Sequence, residues 1–324
     1  MIDGLSISSE QSRWRARDIK FVSGNLDQIF EHIPLFEFGD FSAGDGAGVN
    51  PLYKSIVRIP MTEYERPFPV AIVSPSYSLV QHRELADICV NAMAESGIRT
   101  TEMRFEVGLS QYAELMVFRI YLPERFNFKG RDGHSMGLRI ECINSVDGSY
   151  RMVVLFGWLR FVCLNGMVIG RTLTEIREIH SGEMDLRKIV QGLQEGLSIA
   201  RRDSEILSDW ENVFPSIKTL SDWTNEVLAP KWGVLAAMRV FHISNSGHDV
   251  KLKVPFAEGN STEKPVEYLD PVPGAKKTYE TAYDVLQAMT FVASQRSNFE
   301  ERVRWQSEVS GLIDTLITRS KLWD

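Results

Sequence analysis

In the stretch Met136–Gly170, MGLRIECINSVDGSYRMVVLFGWLRFVCLNGMVIG, two alternating runs flank an Asp147-Gly148 dipeptide. No other feature of the chain constrains its fold as strongly. Asp and Gly tolerate the positive φ angles of a tight turn, so the dipeptide predicts a β-hairpin closed by a two-residue loop. The register follows by counting outward from it. Val146 then pairs with Ser149, Cys142 faces Val153, Ile140 faces Leu155, Leu138 faces Gly157 and Met136 faces Leu159, and that side is apolar throughout. The other side pairs Ser145 with Tyr150, Ile143 with Met152, Glu141 with Val154 and Arg139 with Phe156, and it continues to Trp158 and Arg160. Aromatic rings and arginines therefore share one side of a sheet, with Arg151 near the turn. Such a side can stack bases and hold phosphates. It can equally lie beneath the C-terminal helices, with its arginines paired to acids.

Around this hairpin the periodicity sets out an order of elements. Asn25–His32 reads as a short helix capped by Asn25 and stopped by Pro34. The Gly-rich segment Gly39–Pro51 reads as a flexible surface loop; with no Gly-Lys-Ser/Thr after it, it is not a phosphate loop. Strands are expected at Tyr53–Ile59 and Pro69–Val73, then a helix at Gln81–Ser96 whose Leu85, Ile88, Cys89 and Ala92 recur at helical spacing before Gly97 stops it. Arg99–Val107 and Gln111–Leu122 make a second hairpin, and Met167–Arg177 a last strand. After His180, Leu186, Val190, Leu193, Leu197, Ala200, Ser204 and Leu207 form a seam of coiled-coil type, suited to a helical hairpin or a subunit contact. Pro215 and Pro230 should break shorter helices, with another at Trp232–His242. Ser244–Gly274, rich in turn residues, reads as a long excursion or lid. Helices at Thr278–Ser294 and Asn298–Leu322 follow, the latter with an apolar stripe of Phe299, Val303, Val309, Ile313, Leu316 and Ile317. The expected class is α+β: an antiparallel β-sheet N-terminal module with a helix, then a largely helical C-terminal region. The expected divisions are 1–52, 53–180 and 181–324.

The net charge of −7 gives no global attraction to nucleic acid or an anionic membrane, so a nucleic-acid site would have to be a local basic patch. Met1–Ile19 carries Arg13, Arg15 and Arg17 and no signal-peptide pattern, and no long apolar run follows, so a cytosolic protein is expected. Cys163 lies ten residues beyond Val153, the partner of Cys142. That is about 33 Å along a strand, too far for a disulfide between the two cysteines. With Cys89 they read as buried thiols. Among the histidines, His180 between Glu178 and Glu183 is the least ordinary, while His82 with Glu84 decorates a helix start. Asn144, Asp147 and Asn165 read as turn residues at strand ends. No metal-ligand spacing, nucleophile elbow or matched catalytic set appears, so neither metal nor cofactor is expected.

The run from Arg139 to Gly170 resembles the signature of a phage- and plasmid-borne family, the domain of unknown function numbered nine hundred and thirty-two. Its members typically carry an arginine, an Asn-Ser-x-Asp-Gly-Ser turn and a Phe-x-Cys-x-Asn-Gly strand end. Here these are Arg139, Asn144–Ser149 and Phe161–Gly166. The segment TAYDVLQAMT, Thr281–Thr290, is similar to the family's C-terminal helix, which often reads Ala-x-Asn-Ala-x-Thr; here Leu286-Gln287-Ala288-Met289-Thr290 lacks the Asn. The resemblance spans about Tyr53 to Val303. It implies a mobile-element setting, whose neighbours deal with DNA replication, recombination or host defence, and it brings no agreed activity. The layout of strands, helix and long antiparallel sheet also resembles phage single-strand annealing proteins at the level of fold. The leading expectation is a non-enzymatic accessory protein that engages single-stranded nucleic acid, with Arg139 and Arg160 holding phosphates and Tyr150, Phe156 and Trp158 stacking bases. The alternative is an anti-defence protein that binds and blocks a host complex, which suits the acidic charge better. A homo-oligomer built through the helices is expected, with no membrane partner.

Overall fold

The structure is a computed structural model describing residues 6–10, 19–42, 48–131, 133–160, 168–178, 187–252, 266–296 and 299–322. Strands β1 (Ser6–Glu10) and β2 (Ile19–Gly24) lead to helix α1 (Leu26–Glu31), then β3 (Phe36–Asp40), β4 (Lys54–Arg58) and β5 (Phe68–Val73). Helix α2 (His82–Glu95) precedes β6 (Arg104–Leu109), β7 (Leu115–Tyr121), the short β8 (Phe128–Lys129), β9 (Ser135–Ser145), β10 (Met152–Arg160) and β11 (Val168–Glu178). Helices then dominate: α3 (Arg187–Trp210), α4 (Ile217–Trp223), α5 (Ala229–Trp232) and α6 (Val234–Ser246). The hairpin β12 (His248–Leu252) and β13 (Val266–Pro271) interrupts them before α7 (Ala282–Ser294) and α8 (Phe299–Leu322). An antiparallel N-terminal module with a helix thus gives way to a largely helical region. The main sheet runs β1-β2-β6-β7-β9-β10-β11, with β8 on β9, while β3-β4-β5 and β12-β13 form separate sheets.

Contacts divide the chain into two compact units: 1–126, 138–156 and 173–199 in the first, and 127–137, 157–172 and 200–324 in the second. In the first unit α1 begins as its sequence requires. Asn25 accepts the Gln28 N–H at 3.0 Å and Gln28 returns the bond to the Asn25 N–H, a capping box that satisfies two orphan donors. At its other end Arg83 donates to the carbonyls of Phe30 and Ile33, which suits the negative end of the helix dipole. The β6–β7–β9 register pairs Val107 with Phe118 and Phe118 with Cys142, so Phe105, Val107, Met116, Phe118, Ile120, Ile140 and Cys142 share one face. Helices α1 and α2 pack there: Phe30 reaches the Phe118 ring at 6.5 Å, and Cys89 reaches Cys142.

The hairpin turn corrects the counted loop. Gly148 does take a φ of 70°, yet β9 ends at Ser145 and β10 begins at Met152, so the loop is longer than two residues. Val146 donates its N–H to the Glu114 carbonyl on the neighbouring hairpin, which removes it from pairing with Ser149. The Ser145 hydroxyl closes the neck instead, accepting from Tyr150 N at 2.9 Å and donating to Tyr150 O at 3.0 Å. Ser145 and Tyr150 remain opposite each other, as the count requires.

The second unit is held by indole anchors. Trp223 donates to Thr315 at 2.8 Å and Trp232 to Glu308 at 2.9 Å, while the Trp232 and Trp305 rings stack at 4.7 Å. Helix α7 is buried from Ala282 to Ala293 except at Asp284, the signature of a helix hydrophobic on all sides, and Asp284 completes a capping box with Thr281. The expected stripe on α8 is buried at Val303, Val309, Ile313, Leu316 and Ile317. Two expectations change here. Pro230 does not break its helix: a π-turn at Thr224–Leu228 leads directly into α5, whose second residue is Pro230. Part of the Ser244–Gly274 excursion is the β12–β13 hairpin, because Val250, Leu252, Val266 and Tyr268 alternate across a paired register. On α3, Leu193, Leu197, Ala200 and Leu207 of the expected seam are buried and Val190 is half-buried, while Leu186 and the Ser204 side chain lie outside the described residues.

Candidate functional site

The aromatic–arginine side of the main hairpin is covered, not open. Arg139 is 3% exposed, Tyr150 6%, Phe156 0% and Trp158 2%. Arg160 ends β10, and its side chain lies outside the described residues. Rings this buried offer no face to a base, so Tyr150, Phe156 and Trp158 do not form the expected stacking platform. The physical reason is that β9 is buried at every position from Met136 to Ser145, so both faces of this antiparallel strand are covered.

The arginines are matched by acids on the same face. Glu106 pairs in register with Arg119, and Arg119 with Glu141, placing all three side by side across β6, β7 and β9. Arg119 Nη1 donates to Glu106 at 2.9 Å and its Nε to Glu141 at 2.9 Å. Arg139 Nη2 reaches the same Glu141 oxygen at 2.8 Å. The Tyr121 hydroxyl donates to Glu106 at 3.1 Å, and Ser23 adds a bond to it at 3.3 Å. Burial pushes the Tyr121 phenol up, and the pull of Arg139 and Arg119 only partly opposes it. Beneath the network the Arg119 guanidinium lies 4.4 Å from the centre of the Phe21 ring, which rests over the bare backbone of Gly108. Among the described residues Arg139 Nε and Nη1 meet no acceptor. Burying such a set gives little net stability, but removing one partner leaves a bare charge inside.

Two further polar groups lie within the helix-covered side. His82 is not surface decoration: fully buried, its Nε2 lies 2.8 Å from the Ala113 carbonyl and its Nδ1 3.0 Å from Asn144 Nδ2. A neutral imidazole protonated at Nε2 satisfies both. Asn144, expected as a turn residue, instead joins this cluster and also donates to Val80 O at 2.9 Å. The cluster holds Ala113 at a positive φ of 59° in the β6–β7 turn. Asn165, His180, Cys163 and the Phe161–Gly166 strand end lie outside the described residues.

The exposed surface lies elsewhere in the first unit, on the β3–β4–β5 sheet. Its inner face packs Phe36, Ile56 and Val73 against Ala113 and Val146. Gln81 closes the edge of β3, its amide donating to Phe36 O at 2.7 Å and accepting from Phe36 N at 3.0 Å, as a neighbouring strand would. The outer face follows from the register. Leu35 accepts from Ile59, Glu37 pairs with Val57 and Val57 with Pro69, Gly39 pairs with Ser55 and Ser55 with Ile72. Leu35 is 42% exposed and Ile72 55%. At the sheet's ends Lys54 lies over Phe38 at 5.2 Å, Arg58 over Phe68 at 5.6 Å, and Phe68 meets Tyr112 edge-on at 5.5 Å. The expected strands Tyr53–Ile59 and Pro69–Val73 correspond to β4 and β5, but β3 is missed because it runs into what reads as a Gly-rich loop from Gly39. The available signal was the alternation of Phe36 and Phe38 with Glu37.

Among the described residues no group of histidine, cysteine and carboxylate side chains could hold a metal ion, and no helix is long and apolar enough to cross a membrane. No solved structure matches the chain. Residues 69–312 match the model of the family described as Domain of unknown function (DUF932), and the chain belongs to that family.

Proposed function

We propose that the chain acts by binding a protein partner, which docks on the outer face of the β3–β4–β5 sheet. The observation that carries this reading is a register-aligned set of aliphatic side chains, Leu35, Val57 and Ile72, on a face that the chain leaves partly open. Exposed apolar area of this kind marks interaction sites. Glu37 lies in its middle row and the whole chain carries a net charge of −7, so the complementary surface is apolar with a basic rim. A factor that occupies and blocks a protein complex fits this chemistry better than one that tracks phosphates. The test is affinity co-purification of tagged chain from its own host cells, comparing wild type with Leu35→Asp/Ile72→Asp and with Tyr268→Ser, a change at an exposed site in the second unit. A partner retained by wild type and Tyr268→Ser and lost by the double variant supports the reading. Equal recovery by all three overturns it.

The ring–cation pairs favour a second reading, contact with single-stranded nucleic acid. Phe38 with Lys54, and Phe68 with Arg58 and Tyr112, combine stacking surface with positive charge. Anisotropy of a labelled oligothymidylate at low salt tests it. Binding that weakens steeply with salt, and loses about 1–3 kcal/mol in Phe38→Ala, would move the function to this surface.

A further inference from the structure

We propose that Cys89 and Cys142 close into a reversible internal disulfide when the protein meets a peroxide, stapling α2 to β9. The two residues come from different elements: Cys89 from the buried stripe of α2, Cys142 from the helix-covered face of β9. Their sulfurs lie 3.2 Å apart and both side chains are fully buried, yet both are free thiols. A disulfide bond is about 2.05 Å long, so closure requires a movement of roughly 1 Å and no change of partner. The sulfurs are 53 residues apart in the chain, so the bond would close a long loop and restrict the unfolded chain.

The chemistry is ordered by the hydrogen bond between them. Cys142 donates its S–H to the Cys89 sulfur, and burial pushes the Cys142 thiol well up, with the Cys89 contact adding to it. Cys142 therefore keeps its proton and directs it at the Cys89 sulfur. The Cys89 sulfur attacks one oxygen of hydrogen peroxide; the O–O bond breaks, and the departing hydroxide takes up the Cys89 proton as water. This leaves Cys89 as a sulfenic acid. The Cys142 sulfur then displaces the hydroxyl from that sulfur, which leaves with the Cys142 proton as a second water. Two thiols lose two electrons and one peroxide gains them. Because neither sulfur reaches solvent, the first step waits on local opening of α2, and its reclosing returns the sulfenic acid to contact with the Cys142 thiol.

The experiment uses full-length Cys163→Ser protein, in which Cys89 and Cys142 are the remaining thiols of the three. Folded protein is treated with hydrogen peroxide, alkylated in denaturant and peptide-mapped. The expected result is a cross-linked peptide pair containing Cys89 and Cys142, lighter by two hydrogen atoms, reversed by dithiothreitol and accompanied by a higher melting temperature. Two alkylated thiols at a dose that oxidises Met61, or sulfinic and sulfonic acids without a cross-link, would overturn the proposal. Should Cys163→Ser fail to fold, the same map on wild type decides the matter, and a Cys142–Cys163 cross-link there overturns it equally.

Discussion

On β9 the charged pair Arg139 and Glu141 points to a face that is covered, while on β4 and β5 the aliphatic Val57 and Ile72 point to one that is partly open. The strand pairs that carry them are antiparallel, and Arg139, Glu141, Val57 and Ile72 lie in the same compact unit. Their side chains alternate by the same rule of period two. Hydrophobicity would assign the faces the other way round. The difference lies in what each face can satisfy for itself. Glu106, Arg119, Glu141 and Arg139 neutralise and hydrogen-bond one another across three strands, so they tolerate being covered. Leu35 and Ile72 have nothing to satisfy, and their exposure leaves apolar area available to a partner.

The most severe challenge to the comparison is Glu141→Gln. It keeps the shape and removes the charge that Arg119 and Arg139 share, leaving buried cations short of a partner. Loss of about 3–5 kcal/mol is expected, read as a fall in the urea midpoint. Adding Arg139→Met should recover part of it, since the pair is then removed together. A loss below about 1 kcal/mol would mean that water reaches this face, and the contrast with the outer sheet would collapse.

Glycines make the next test, because each sheet has one under its neighbours. A Cβ on Gly108 would stand 2.5 Å from the Phe21 ring and 2.7 Å from Ile19, both buried. Gly108→Ala should cost about 1–3 kcal/mol by overpacking, and displace Phe21 from under Arg119. On the other sheet a Cβ at Gly39 would meet Ser55 Oγ and Val57 Cγ2 at 2.8 Å, where Ser55 is buried but Val57 only half-buried. There the clash should be largely offset by the roughly 0.5–1 kcal/mol gained when alanine replaces glycine in a strand. Thermal unfolding of the two variants in parallel would show whether the faces differ in their freedom to relax.

The sequence allowed the sharing of faces to be read, though not their covering. Counting from Asp147-Gly148 put Arg139, Glu141 and Tyr150 on one side, and the pairing of Arg119 with Glu141 confirms that side for the first two. Glu106 falls in the expected strand Arg99–Val107 and Arg119 in its hairpin partner Gln111–Leu122, yet only the strand order β6-β7-β9 adds Glu141 to the pair. His82 and Asn144 were misread for the same reason: each looks like an element-end residue, and tertiary packing supplies the partners. The Cys89–Cys142 contact joins a helix to a strand, so neither period could reveal it. Helices α7 and α8 were legible because long periodic runs with a capping Thr281–Asp284 carry their own signal, whereas β12 and β13 are too short to compete with the turn residues around them.

The smallest expected effect on stability is the most telling for function. Ile72→Ser removes apolar atoms that are 55% exposed, on a strand position whose backbone pairing to Ser55 does not depend on the side chain. Surface changes of this kind usually lie within about 0.5 kcal/mol, so the urea midpoint should barely move. If a partner docks on this face, the same substitution should weaken its capture severalfold, since an aliphatic side chain at the middle of an interface acts only when it is desolvated. Stability and binding would then separate at Ile72, whereas at Glu141 they would fall together. A large drop in midpoint for Ile72→Ser would show that the outer face is packed within the chain, and a partner there would have no surface to occupy.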